Sequence, residues 1–119
     1  MKDNLLKEKS FRFAVRIVNL YKYLYEDKKE FIISKQILRC GTSVGAMIRE
    51  AEHSESKVHK TAVAQKEINE TIYWIELLFE TEYISHKEFE SINDDAIEII
   101  NIITSLIKTT KDNQLTINN

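Results

Sequence analysis

The chain has 119 residues, of which 43% are apolar and 30% charged, with two glycines, no proline and one cysteine. This length suits a single domain with a modest core, and one cysteine excludes an intramolecular disulfide framework. No apolar run approaches the roughly 18 residues of a membrane-spanning helix, and residues 1–10 lack the apolar block of a signal peptide. We therefore expect a cytoplasmic protein with no membrane partner.

The net charge of −2 is unevenly distributed along the chain. Residues 1–60 carry 13 Lys and Arg against 8 Asp and Glu, whereas residues 61–119 carry 4 against 11. Two solvated faces of opposite sign would explain this pattern, and charge alone favours that interpretation. The alternative is a basic surface for an anionic partner, with the acidic surface turned elsewhere.

Apolar residues recur at helical spacing in four segments, about 8–26, 31–53, 57–82 and 86–109. The connectors are short, with a break predicted at residues 54–56, so consecutive helices should pack antiparallel. The predicted fold is all-α, an up-down-up-down four-helix bundle comprising residues 1–109. Residues 110–119 have little to bury and are predicted to form a frayed tail.

The start of the fourth helix carries a recognisable signal. Ser85 and Glu88 match the Ser-x-x-Glu capping box, in which each side chain accepts a hydrogen bond from the backbone N–H of the other residue. The pattern predicts a helix that begins at residue 86.

Both glycines, Gly41 and Gly45, lie in the middle of the second predicted helix. Each costs roughly 1 kcal/mol relative to alanine in a helix interior, so a compensating contact is expected. Because the two are four residues apart, they share one helix face. We expect another helix, or another subunit, to approach the backbone there.

The third and fourth helices carry apolar residues away from their main stripes. They are Tyr73, Trp74 and Leu77 on the third helix, and Ile97 and Ile102 on the fourth. A monomeric bundle of this size would leave some of that surface exposed, and exposed apolar patches mark interfaces. We predict that the chain self-associates and that Tyr73, Trp74 and Leu77 lie at helix-packing or subunit contacts.

Few residue patterns point to catalysis or metal binding. A di-iron bundle needs two Glu-x-x-His pairs, and the chain has one, from Glu50 to His53. Cys40 lies on the apolar stripe of the second helix, which is typical of a small buried hydrophobe. We expect no metal, no cofactor and no enzymatic activity.

Nucleic acid is the more serious candidate ligand. Basic residues recur along the first two helices and could follow a phosphate backbone; they are Arg12, Arg16, Lys35, Arg39 and Arg49. Arginine adds planar, bidentate contacts that lysine lacks. Alternatively, some of these arginines pair within the chain, with Glu50, Glu67 or Glu70.

Residues 36–51 read Gln-Ile-Leu-Arg-Cys-Gly-Thr-Ser-Val-Gly-Ala-Met-Ile-Arg-Glu-Ala. This stretch resembles the signature of the four-helix-bundle family encoded in 23S rRNA intervening sequences, often labelled "S23 ribosomal protein". The matching residues are Gln36, Arg39, Ser43, Ile48 and Glu50, whereas Met47 replaces an asparagine. Residues 66–78 are similar to the third-helix segment of the same family.

The resemblance implies an up-down bundle that assembles as a ring-like homopentamer. The family includes the accessory variability protein of diversity-generating retroelements, a basic pentamer that binds nucleic acid and a reverse transcriptase. The acidic balance of this chain departs from that relative. Two hypotheses follow: a non-enzymatic accessory factor that binds RNA or an RNA–protein complex, and an oligomeric protein-binding scaffold without nucleic-acid affinity.

Overall fold

The computed structural model describes residues 2–53 and 56–118, with side chains as far as residue 112. Helix α1 spans Lys2–Lys22 and continues into a π-helical segment, Tyr23–Asp27; α2 spans Ile33–Ala51, α3 Lys57–Glu80 and α4 His86–Asn118. Consecutive helices contact one another, and α1 also packs against α4. The predicted all-α four-helix bundle is therefore confirmed. None of the described helices combines the length and apolar character needed to cross a bilayer.

The helix ends differ from the predicted ones at several points. Helix α1 begins at Lys2 instead of residue 8, because Leu6 is buried and lengthens its apolar stripe. Helix α2 begins at Ile33, two residues later than predicted, and ends at Ala51. Helix α3 ends at Glu80. Of the predicted break at 54–56, residues 54 and 55 lie outside the described residues.

Helix α4 runs to Asn118, past residue 109, where the fourth helix is predicted to end. The hydroxyls of Thr109 and Thr110 donate to the carbonyls of Ser105 and Leu106, one turn earlier. No glycine or proline interrupts this segment, so nothing in the local sequence ends the helix at residue 109.

The core lies along the bundle axis and follows the predicted registers. On α2 and α4, alternating steps of three and four place the buried side chains on one face; they include Ile37, Cys40, Val44, Ile92, Ala96, Ile99 and Ile103. All of these except Cys40 join Phe13 and Ile17 of α1 and Ile68 and Ile75 of α3 in one apolar cluster. Aromatic stacking adds to it, since the Phe79 and Phe89 rings lie 4.5 Å apart.

The connector before α2 contains an unusual helix cap. Lys29 adopts a φ of 55° and turns the chain, which brings the buried Glu30 carboxylate under the first turn of α2. One oxygen accepts hydrogen bonds from the backbone N–H groups of Ile32 and Ile33 at 2.8 and 2.7 Å. The other accepts from Ser34 N–H at 3.0 Å. One side chain thus satisfies three N–H groups that would otherwise lack partners.

The capping box at α4 is confirmed. Ser85 N–H donates to Glu88 Oε1 at 2.9 Å, and Glu88 N–H donates to Ser85 Oγ at 3.1 Å. The hydrogen bonds from the Ser85 backbone and hydroxyl hold the pKa of Glu88 below its usual value. The charged carboxylate is therefore the form that caps the helix.

This cap predicts a pH-dependent contribution to stability. Ser85→Ala should lower the free energy of unfolding by about 1 kcal/mol. Because folding lowers the pKa of Glu88, its stabilisation is full above the unfolded pKa, about 4.3, and is lost as the pH falls further. Urea unfolding of wild type and Glu88→Ala should therefore give a stability gap at pH 7 that narrows at pH 3. A constant gap would show that the carboxylate charge is not involved.

Candidate interaction surfaces

The two glycines let α1 and α2 approach closely within one chain. A Cβ on Gly41 would lie 2.7, 2.8 and 3.0 Å from three side-chain carbons of Ile17. A Cβ on Gly45 would lie 3.1 Å from the backbone oxygen of Ser10. Of the two expectations, another helix or another subunit, the structure places another helix against both glycines.

Beside this contact, the outer surface of α1 and α2 contains a cavity of about 390 Å³. We call it the apolar groove. Small residues form its floor, Phe11 forms one wall and charged side chains its rim; the lining residues are Lys7, Phe11, Ala14, Thr42, Gly45, Ala46, Arg49 and Glu50. The groove exists because residues without bulky side chains follow one another along this face of α2.

Two cations flank aromatic rings along this surface. The Arg49 guanidinium carbon lies 5.5 Å from the Phe11 ring centre, and Lys35 Nζ lies 6.0 Å from the Tyr25 ring centre. Among the described residues, no ion pair involves either cation. The two cations are about 21 Å apart along α2 at 1.5 Å per residue. Both are thus positioned to contact a partner on this face.

Arg39 faces α3 and is engaged by carboxylates. Its Nη2 lies 2.7 Å from Glu70 Oε1, and its Nη1 lies 3.3 Å from Glu67 Oε2. The hydrogen bond with Glu70 raises the pKa of Arg39, and the same bond holds the pKa of Glu70 below its usual value. Trp74 Nε1 also approaches Glu70 Oε1, at 3.5 Å. Arg39 therefore links α2 to α3.

The arginines of α1 point toward α4. Arg16 Nη1 lies 2.6 Å from Asp95 Oδ2 and donates to the Ser91 carbonyl at 3.1 Å. Its Nη2 donates to the Ser91 hydroxyl at 2.9 Å. Arg12 is 76% exposed and lies 2.9 Å from Glu8 on its own helix. Arg16 thus links α1 to α4, whereas Arg12 remains on the surface.

The five basic residues predicted to bind nucleic acid do not form one row. Lys35 and Arg49 lie along the outer α1–α2 surface, Arg39 at the α2–α3 contact, and Arg12 and Arg16 on the α4 side of α1. For Arg39 the alternative of internal pairing holds, with the predicted Glu67 and Glu70. Helical spacing placed Arg39 and Arg49 on one side of α2, but it could not show that α3 brings two carboxylates to Arg39.

The predicted interface residues on α3 are only partly at the surface. Tyr73 is 58% exposed, whereas Trp74 and Leu77 are half-buried. Trp74 packs against the core, and its ring meets that of Tyr73 edge-on at 5.1 Å. On α4, Ile97 is exposed but Ile102 is half-buried.

Most of the exposed apolar surface lies elsewhere, on the first part of the chain. Six of the eight large apolar side chains with the greatest exposure among the described residues fall between residues 5 and 32; they are Leu5, Phe11, Val15, Tyr25, Phe31 and Ile32. Sequence reasoning missed Leu5, Phe11 and Val15 because they neighbour core positions on α1 and resemble a widened apolar stripe.

The charge asymmetry along the chain becomes two layers in the bundle. Helices α1 and α2 carry nine basic and three acidic residues, whereas α3 and α4 carry six basic and ten acidic residues. Because α1 contacts α2 and α3 contacts α4, a basic layer lies beside an acidic layer. The apolar groove opens on the basic layer.

The described residues offer little for chemistry at a reactive centre. Cys40 is fully buried, and burial raises the pKa of its thiol, which disfavours the nucleophilic thiolate. The described part of the chain contains no group of three or more His, Cys, Asp or Glu arranged to hold a metal ion.

The sequence pattern of the 23S rRNA-intervening sequence protein family matches residues 2–105. The structure is similar to the crystal structure of a protein of unknown function from the S23 ribosomal protein family of Bacteroides thetaiotaomicron. The two share 58% sequence identity and a TM-score of 0.88, over 91% of this chain and 99% of that chain. No protein with a curated description matches the sequence.

Proposed function

The chain belongs to the 23S rRNA-intervening sequence protein family, and the similar protein from Bacteroides thetaiotaomicron is described as having unknown function. We propose that it is a non-catalytic, self-associating scaffold that binds a polypeptide through the outer α1–α2 surface. The observation that carries this proposal is the apolar groove, a concave surface of small residues beside the exposed Phe11 ring and with charged residues at its rim.

The composition of this surface is that of a protein interface. Aromatic residues and arginine are enriched at the centres of such interfaces, and here the Phe11 ring, which is 54% exposed, lies under the Arg49 guanidinium. Val15, 47% exposed, is one turn further along α1. A partner that covers Phe11 and Val15 would remove apolar area from water, which is the main favourable term in association.

RNA is the second candidate ligand, and the basic α1–α2 layer favours it. Arg16 and Arg39 hold carboxylates of α4 and α3, so they are poor candidates for phosphate contacts. An RNA ligand would use Arg12, Lys35 and Arg49 instead. Exposed aromatic rings beside Lys35 and Arg49 could stack with unpaired bases.

Arg39→Glu and Arg49→Glu distinguish these two functions. Arg39→Glu should lower stability by about 1 kcal/mol, because it breaks partly exposed ion pairs and adds a third carboxylate beside Glu67 and Glu70. The scaffold proposal predicts only a weak affinity for a labelled structured RNA, and this affinity should be lost near physiological salt. Neither variant should change it. If the chain binds this RNA at physiological salt, and Arg49→Glu weakens binding while Arg39→Glu does not, RNA is the ligand of the α1–α2 surface.

The scaffold proposal has its own test in the oligomeric state. Sedimentation of the purified chain at micromolar concentration should show an assembly larger than one chain. Phe11→Glu, which places a charge in the groove wall, should shift it toward the monomer without loss of helical circular dichroism. A monomeric wild type would contradict self-association.

A further inference from the structure

A second surface of the chain is complementary to the apolar groove. It lies on α3 around Tyr73, and we call it the Tyr73 ridge; its residues are Lys66, Glu70, Tyr73, Glu76, Leu77 and Glu80. These positions are three, four or seven residues from Tyr73, so they are neighbours on one helix face. The 58% exposed Tyr73 ring projects from it, packed edge-on against Trp74.

The charges of the two surfaces are opposite. Glu70 is already paired with Arg39, and Glu76 and Glu80 add two further carboxylates to the ridge against the cation Lys66. The rim of the groove carries Lys7, Arg49 and Glu50. Lys7 pairs with Glu52 and Glu50 with Lys60, so the Arg49 cation gives the rim its positive charge, and the rim belongs to the basic helix layer. Two like surfaces, groove on groove or ridge on ridge, would bring charges of the same sign together, which disfavours those contacts.

The shapes of the two surfaces match as well as their charges. The groove is a cavity of about 390 Å³ with a floor of Ala14, Thr42, Gly45 and Ala46. A tyrosine ring projecting from a helix can enter such a hollow, because small residues let the partner backbone approach. The sides of the molecule measure 55 by 22 to 24 Å, which accommodates the roughly 800 Å² per partner of a stable interface.

We propose that the polypeptide bound by the apolar groove is a second copy of this chain, which inserts its Tyr73 ridge. The inference rests on the proposed self-association and adds which two surfaces meet. The contact is heterologous, because it joins two different surfaces. A copy whose groove is filled still exposes its ridge, and a copy whose ridge is bound still exposes its groove.

Two surface variants test this pairing. Ala46→Glu should block the groove, because it fills the floor and repels the acidic ridge. Tyr73→Lys should disable the ridge, because it removes the ring and places a cation opposite Lys7 and Arg49. Both positions are exposed, so helical circular dichroism and the unfolding midpoint should stay close to those of wild type. Asn101→Glu and Asn101→Lys, on the outer face of α4, are matched controls that should assemble like wild type.

The decisive measurement is sedimentation of each variant alone and of their equimolar mixture. Each variant alone should be monomeric, with self-affinity weakened at least about tenfold. The mixture should form a complex, because the intact ridge of Ala46→Glu meets the intact groove of Tyr73→Lys. If Ala46→Glu is monomeric while Tyr73→Lys still assembles, the groove pairs with a surface other than the ridge and the inference is overturned.

Two further outcomes are informative in different ways. A mixture that stays monomeric although wild type assembles overturns the groove–ridge pairing and leaves self-association intact. A monomeric wild type overturns self-association itself, and the pairing with it.

Discussion

Gly41→Ala is expected to lower the free energy of unfolding by about 2 kcal/mol, although alanine is the better helix former. The added Cβ would lie within 3.0 Å of three carbons of Ile17, whose side chain is fully buried. A β-branched side chain has few alternative rotamers, so Ile17 cannot turn aside and α1 must move. Urea unfolding monitored by circular dichroism measures the loss.

Gly45→Ala is the matched comparison, and its cost should be smaller. Its Cβ would be 3.1 Å from the Ser10 carbonyl oxygen, so a shift of a few tenths of an ångström relieves the contact. A second control uses Ile17→Ala, which removes the atoms that Gly41→Ala would meet. In that background Gly41→Ala should cost less than about 0.5 kcal/mol, since the two substitutions are coupled. An equal cost in both backgrounds would show that Ile17 is not the cause.

Glu30→Ala should lower stability by about 2 kcal/mol, an effect at the upper end for a helix cap. The substitution leaves the N–H groups of Ile32, Ile33 and Ser34 without their acceptor. Hydrogen bonds to a charged group contribute more than neutral ones, and the Glu30 residue is only 8% exposed. The free energy of unfolding in urea is again the measurement.

Two variants separate capping from charge. Glu30→Gln keeps one oxygen acceptor and should lose about half as much stability as Glu30→Ala. Glu26→Gln removes an exposed carboxylate from the same region and should stay within about 0.5 kcal/mol of wild type. If Glu26→Gln were as costly as Glu30→Ala, loss of negative charge would explain the effect and the cap would not.

Much of the bundle could be predicted because its core follows local periodicity. The steps of three and four that place Ile37, Cys40 and Val44 on one stripe of α2 require no knowledge of the other helices. The capping box at Ser85 could equally be predicted from the sequence, because both partners lie within four residues. The Glu30 cap was not, since caps are usually Ser, Thr, Asp or Asn and this one depends on the turn at Lys29.

The interaction surfaces were harder to predict, because each depends on where a neighbouring helix lies. Lys35, Arg39 and Arg49 look alike on a helical projection of α2. Only the position of α3 shows that Glu67 and Glu70 engage Arg39. Likewise, the exposure of Phe11 depends on how α1 is rotated against α2, which Gly41 and Gly45 help to determine. A single sequence predicts which residues share a helix face, but it does not predict which faces of different helices come into contact.

The opposite charges of the two helix layers give the bundle an electric dipole moment across its short axis. Physiological salt screens charges beyond about 8 Å, one Debye length. A charged body at that distance therefore interacts mainly with the nearer layer, and the net charge of −2 has little influence on it. The molecule should therefore rotate during approach and present α1 and α2 to any polyanion or acidic protein surface. Encounter orientation is thus selected before contact, in a chain that is acidic overall.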